Sequence, residues 1–188
     1  ACSLARYCAD VYPNSRNTIV ELDARLAEYV REWFDIPKSP RVKIRVGDAG
    51  AVTRSFAPAS RDVVIRDVFA VDKTPAELTG VDFVRTVDNS LAPGGLYILN
   101  CGDDRALNAA RAEAAALLEV FEYVSIVADS AMLKGRRRGN IILAGSHVPL
   151  PQLGSAEAAS ISRVLMGGGV PAQYWDTEKV RAFARKGA

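Results

Sequence analysis

From Thr18 onward, short runs of β-branched and other apolar residues alternate with longer stretches whose apolar positions recur at helical spacing. The runs TIVEL (18–22), RVKIRV (41–46), DVVIRDVF (62–69), GLYILNC (95–101), YVSIVAD (123–129) and NIILAGS (140–146) predict strands. Between the first two, residues 23–34 predict a helix with Leu26, Val30, Trp33 and Phe34 on one stripe facing a sheet. Thr79 with Asp82 has the spacing of a capping box, and Phe83, Val87 and Leu91 follow on one face until Pro93-Gly94-Gly95 stops the helix. Residues 103–121 repeat the pattern through Leu107, Ala110, Ala114, Leu117, Leu118 and Phe121, and their alanine richness is helix propensity.

Strands that alternate with helices imply an α/β fold with a mostly parallel sheet. The last two strands are separated only by the polar, basic stretch 130–138, too short for a helical crossover, so they are expected to pair antiparallel. After His147, VPLPQLGS reads as an exit linker, followed by weak helices over 155–165 and 177–185. The expectation is one α/β domain over 1–146, with 147–188 a linker and C-terminal helices packing on it.

Composition narrows the partners. With 188 residues, 49% of them hydrophobic, the chain has material for one sizeable core. A net charge of +2, from 24 basic and 22 acidic residues, gives no reason to expect nucleic acid or an anionic membrane. No apolar run reaches the ~18 residues needed to span a bilayer, and the first residues lack the profile of a secretion signal, so a soluble cytoplasmic protein is expected. Cys2, Cys8 and Cys101 are an odd set without CxxC spacing, and His147 is the single histidine, so neither a disulfide framework nor a metal site is expected. His147 is expected at the surface. Cys101 is expected to be a small core residue rather than a nucleophile, with no histidine base near it in sequence.

Ligands of open parallel sheets bind beyond the carboxyl ends of the strands, so the polar residues where each apolar run stops are the candidates. The first run ends in Glu21-Leu22-Asp23, the second in Gly47-Asp48-Ala49, the third in Asp67 and the fourth in Asn100. Glu21 suits the two hydroxyls of a ribose, with Asp23 left to cap the following helix; the alternative is that Glu21 itself serves as a cap. Asp48 suits an exocyclic amine or, equally, a helix N-terminus. Asp67 suits an amine and its proton; the alternative is a carboxylate that closes the loop after its strand. Arg66, in an otherwise apolar strand, either pairs with a carboxylate at the site or emerges at the sheet's edge.

Through TIVELDARLAEYVREWF, RVKIRVGDA, DVVIRDVFAVDKTPAEL and VDFVRTVDNSLAPGGLYILN the sequence resembles the spermidine synthase family, including its bacterial spermidine synthase-like branch. The resemblance covers roughly residues 1–146. It implies a methyltransferase-like, Rossmann-type sheet and transfer of an aminopropyl group from decarboxylated S-adenosylmethionine to an amine. It also implies Glu21 on the ribose, Asp48 with Ala49 on the adenine, Asp67 as the acid–base residue, and a homo-oligomeric assembly.

The chain departs from the family's pattern in three places. A second aspartate expected three residues after Asp67 is replaced by Ala70, with Asp72 the nearest substitute. The tyrosine expected before the last strand is missing from Leu133-Lys134-Gly135-Arg136-Arg137-Arg138. Losing an acid and gaining these cations disfavours a polycation, so the acceptor is expected to differ from a simple diamine and to carry negative charge; the alternative is a solvated hairpin tip. The family's first strand and glycine loop precede the helix matched by 1–12, so the expectation is a fragment of a longer chain, lacking that strand. An S-adenosylmethionine-dependent methyltransferase and a non-catalytic nucleoside-binding or assembly module are the competing readings.

Overall fold

The computed structural model describes residues 2–185. The chain divides into two compact units, Ala1–Ser55 and Phe56–Ala188.

In the first unit, β1 (Asn17–Glu21) and β2 (Val42–Val46) pair parallel, with Asn17 opposite Val42 and Glu21 opposite Val46. The helices α1 (Ser3–Val11), α2 (Ala24–Trp33) and α3 (Ala49–Arg54) accompany them. Ala9, Val30, Ile36 and Val42 form the core, with Ile19 and Ile44 packed against it. The guanidinium of Arg41 donates to the carbonyl of Ala9, tying the end of α1 to the start of β2. The expected stripe on α2 is only partly buried. Ala27 and Val30 face the core, whereas Leu26, Trp33 and Phe34 are exposed and Trp33 stacks on Tyr29 at 4.9 Å. Helical spacing identified the face correctly at Val30, and Ala27 is buried as well.

The second unit holds β3 (Arg61–Arg66), β4 (Leu91–Asp103), β5 (Tyr123–Asp129), β6 (Gly139–Ser146) and β7 (Ala172–Trp175) in the order β3-β4-β6-β5-β7. β3 and β4 are parallel; β6 runs antiparallel to both β4 and β5, and β7 antiparallel to β5. The fold class is therefore mixed α/β with the expected C-terminal antiparallel hairpin. β7 escaped the sequence reading because its four residues are too few to show alternation. Strand β1 and strand β3 each pair along one edge only among the described residues.

A short 3-10 turn at Ala76–Leu78 leads into α4 (Gly80–Ser90), and α5 (Asn108–Val120), α6 (Ser130–Leu133), α7 (Ala156–Met166) and α8 (Thr177–Ala184) complete the unit. The capping box does not form: the Thr79 hydroxyl donates to the Ala76 carbonyl instead. Pro93-Gly94-Gly95 lies inside β4 rather than ending α4, which stops at Ser90. A Cβ at Gly95 would stand 2.8 Å from the Ala92 carbonyl oxygen, so the strand's turn there requires glycine. Helix α5 begins five residues later than its apolar pattern suggested, because the carboxylates of Asp103 and Asp104 hold the N–H groups of Asp104 and Ala106 in a loop, and Asp103 also accepts from Ala110 in the first turn of α5.

Arg66, at the end of β3, is buried and meets Glu113 of α5 at 2.6 Å, with side-chain exposures of 3% and 5%. A second guanidinium nitrogen donates to the Leu78 carbonyl at 2.5 Å. Cys101 is buried in β4, where desolvation first, then the charges of Glu113 and Asp103, push its thiol up to about 12. His147 is exposed and shares a 2.8 Å contact with Asp88. No described helix is long and apolar enough to cross a membrane.

Replacing Glu113 by alanine leaves Arg66 charged and buried without its partner, which is expected to cost about 3–5 kcal/mol in urea unfolding; a loss below about 1 kcal/mol would contradict the pair's role. At pH 8, iodoacetamide is expected to label half-buried Cys2 and Cys8 and to spare Cys101 until the chain unfolds, as read by peptide mass spectrometry. The raised thiol also works against the fold in alkali. Above its ordinary value of 9.0 the unfolded chain has lost a proton that the native state keeps until about 12, so its contribution falls as pH rises through that window.

Candidate functional site

Strand alternation turns Arg66 inward, so Asp67, the next residue, projects outward and is exposed. The register that sets Arg66 opposite Leu99 brings Asn100 beside it, and Asn100 Nδ2 donates to Asp67 Oδ1 at 3.0 Å. Asn100 Oδ1 is buried and has no hydrogen-bond partner among the described residues. Its amide therefore has one settled role, holding Asp67. The carboxylate keeps acceptor positions for a further donor.

The loop after Asp67 folds back on itself through paired backbone bonds between Ala70 and Lys73. It lies across the end of β4: a Cβ on Gly102 would meet the Phe69 ring at 3.1 Å and the Asp72 carbonyl at 3.4 Å. Asp72, the substitute acid, turns to the basic β5–β6 connection, its Oδ2 3.4 Å from Arg138 Nη2. In that connection Arg137 meets Asp129 at 2.5 Å. Desolvation opposes ionisation of Asp129, but the N–H groups of Met132 and Ala131 and the Arg137 guanidinium outweigh it and hold its carboxyl below the usual range.

In the first unit the carboxyl ends of β1 and β2 lie side by side, joined by a 2.9 Å bond from the Gly47 N–H to the Glu21 carbonyl. Glu21 Oε1 accepts from the Asp23 N–H at 2.9 Å. Asp23 caps α2, accepting from the N–H groups of Arg25 and Leu26 at 2.8 and 3.2 Å. Asp48 Oδ1 accepts from the Ala51 N–H at 2.7 Å and so caps α3, whose first residue is Ala49. Asp23 thus has the expected cap role, Glu21 binds the backbone at the same turn, and Asp48 has a cap role as well. Each of Glu21 and Asp48 commits a single oxygen.

Two residues escaped the sequence reading. Asn100 was noted only as a strand end, and its partner needed the β3–β4 register. Glu113 falls between Ala110 and Leu117 at helical spacing, so an acid on a buried face was a legible signal that Arg66 had a partner. Arg66 was open between a site carboxylate and the edge of the sheet; it takes neither place. Among the described residues no group of His, Cys, Asp and Glu is arranged to hold a metal ion.

No family model matches the chain. Among curated proteins, the eEF1A lysine and N-terminal methyltransferase of Mus musculus is 32% identical over 114 residues, 55% of this chain and 16% of that protein. The probable polyamine aminopropyl transferase of Bifidobacterium longum is 28% identical over 99 residues, 51% of this chain and 21% of that protein. The chain thus spans a small part of these curated relatives. Human methyltransferase-like protein 13, solved in complex with SAH, shares the fold at 22% identity, with a TM-score of 0.63 over 97% of this chain and 77% of that one. The crystal structure of a probable spermidine synthase from Corynebacterium glutamicum is 60% identical, with a TM-score of 0.94, over 97% of this chain and 66% of that one. With that identity across nearly every residue and its methyltransferase-like α/β fold, the chain belongs to the spermidine synthase-like family.

Proposed function

We propose that this chain is the transferase part of an aminopropyltransferase that moves an aminopropyl group from decarboxylated S-adenosylmethionine to an amine. The observation that carries the reading is Asp67, an exposed carboxylate at a strand end, held by Asn100 at 3.0 Å, in a chain 60% identical to a probable spermidine synthase. The co-substrate supplies an alkyl carbon activated by a sulfonium. An amine attacks it only when neutral, so a base must remove its proton. In the reading, Asp67 first binds the ammonium form and then takes that proton. The C–N bond forms as the C–S bond breaks, the electron pair goes to sulfur, and methylthioadenosine leaves.

Glu21 is proposed to accept from the ribose hydroxyls, and Asp48 with Ala49 to meet the adenine. Their free oxygens support this, since a carboxylate that caps a helix through one oxygen retains the other for a ligand. The partners proposed are a small-molecule amine and further copies of the chain. The cytoplasm is the proposed compartment, in keeping with three free cysteines.

A methyltransferase using S-adenosylmethionine is the second reading, favoured by the 32% identity to a curated methyltransferase and by Ala70 where a second amine-binding acid is expected. Ligands that bind only the folded state raise its melting temperature. A larger shift with methylthioadenosine than with S-adenosylhomocysteine is expected; the reverse order would favour methyl transfer. Asp67→Asn is expected to slow methylthioadenosine release by ~10²-fold or more while the methylthioadenosine-induced shift persists. Unchanged turnover in that variant would remove Asp67 as the base.

A further inference from the structure

Beyond the end of β4, the β4–α5 loop and the β5–β6 connection border an open cavity of about 610 Å³ lined by Asp104, Arg105, Ala106, Arg137 and Arg138. We propose that this cavity is an oxyanion site that takes a carboxylate or phosphate group carried by the acceptor amine. The assignment of the anion to an acceptor rests on the aminopropyl-transfer reading; the anion site itself does not.

Two of the three arginines are in ion pairs, with Asp129 and Asp72, that leave part of each guanidinium free. Asp104 turns one oxygen to the Ala106 N–H at 2.8 Å, closing its own loop. Arg137 is anchored by Asp129 and Arg138 by Asp72, each through one terminal nitrogen, which leaves further guanidinium N–H groups of both unspent. Arg105 has no carboxylate within ion-pair distance among the described residues. Arginines from both segments thus border one opening, and guanidinium N–H groups suit carboxylates and phosphates.

The walls are also locked together. Gly135 has φ +64, and a Cβ there would stand 2.6 Å from the Arg105 carbonyl oxygen, so the two loops touch at a point where only glycine fits. A basic tip that merely extended into solvent would need no such contact. The Arg138–Asp72 pair joins the cavity to the loop that follows Asp67. Along β4, Asp103 lies three residues beyond Asn100, on the order of 10 Å at strand rise, a gap that arginine side chains shorten. An acceptor whose amine lies at Asp67 therefore has its far end near the guanidinium groups.

The test uses the intact protein, Arg105→Gln, and Arg105→Gln with Arg138→Gln. Both side chains are exposed, so the variants are expected to fold, as far-UV circular dichroism would confirm. Inorganic phosphate is titrated by calorimetry. Methylthioadenosine release is followed with lysine, with 3-aminopropyl phosphate, and with cadaverine, which is lysine without its carboxylate. The expected result is phosphate binding weakened about tenfold or more in the double variant, and a lower KM for an anionic amine than for cadaverine that disappears in that variant. Lysine and 3-aminopropyl phosphate distinguish carboxylate from phosphate as the favoured group. Phosphate binding that is absent, or equal in all three proteins, overturns the site. Phosphate binding that follows the arginines while cadaverine is the better acceptor overturns the acceptor assignment. Binding that follows the arginines with no methylthioadenosine from any amine upholds the anion site and overturns the transferase reading.

Discussion

A guanidinium without water around it must be neutralised from within the protein, and the end of β3 is organised by that demand. Arg66 reaches Glu113 on α5 and the carbonyl of Leu78, so one side chain ties a strand, a helix and the turn before α4 together. Tyr97 lies in the same buried surroundings, where desolvation pushes its phenol well above its ordinary range. Taking two charges out of water costs several kcal/mol per ion, which their mutual attraction has to repay, so the pair is better understood as a device for geometry than as a source of net stability. Its product is the direction of Asp67. With Arg66 fixed inward, strand alternation aims the next carboxylate outward, and Asn100 holds it there.

Around that carboxylate the balance of charge differs from what a polyamine site needs. Ala70 contributes no acid, and Asp72 is drawn to Arg138. The basic connection between β5 and β6 is bound to its surroundings by Asp129, by Asp72 and by the close approach of Gly135 to Arg105. The pairs with Asp129 and Asp72 limit the freedom of Arg137 and Arg138, and a limited arginine loses less entropy when it binds an anion. The same residues that weaken the case for a diamine acceptor strengthen the case for one that also carries an oxyanion.

The strand-end acids of the first unit illustrate how one residue serves both fold and ligand. Glu21 and Asp48 each use one oxygen on a nearby backbone N–H, at a helix start or in the turn leading to one. The cap and the proposed ligand contact are not alternatives, because an ionised carboxylate has two oxygens and about four acceptor positions. A local hydrogen bond also fixes the rotamer, which prepares the second oxygen for a ligand without further ordering.

Six of the seven strands among the described residues, the helices after β1 and β4, and the antiparallel hairpin were legible in the sequence, because period-2 and period-3.6 patterns record burial directly. Capping at Thr79 and the start of α5 were not, since both depend on whether a short polar side chain finds a nearer backbone partner than the one its spacing suggests. Asp67, Glu21 and Asp48 could be named from sequence alone, because each ends an apolar run. What those side chains touch was decided by tertiary structure: Asn100 by the β3–β4 register, Glu113 by the packing of α5 beneath Arg66, and Arg138 by the fold of the loop across β4. Sequence carries the pattern of what must be buried and where each run must end; the partners of a charge lie 33, 47 and 66 residues away, at separations that only the folded chain closes.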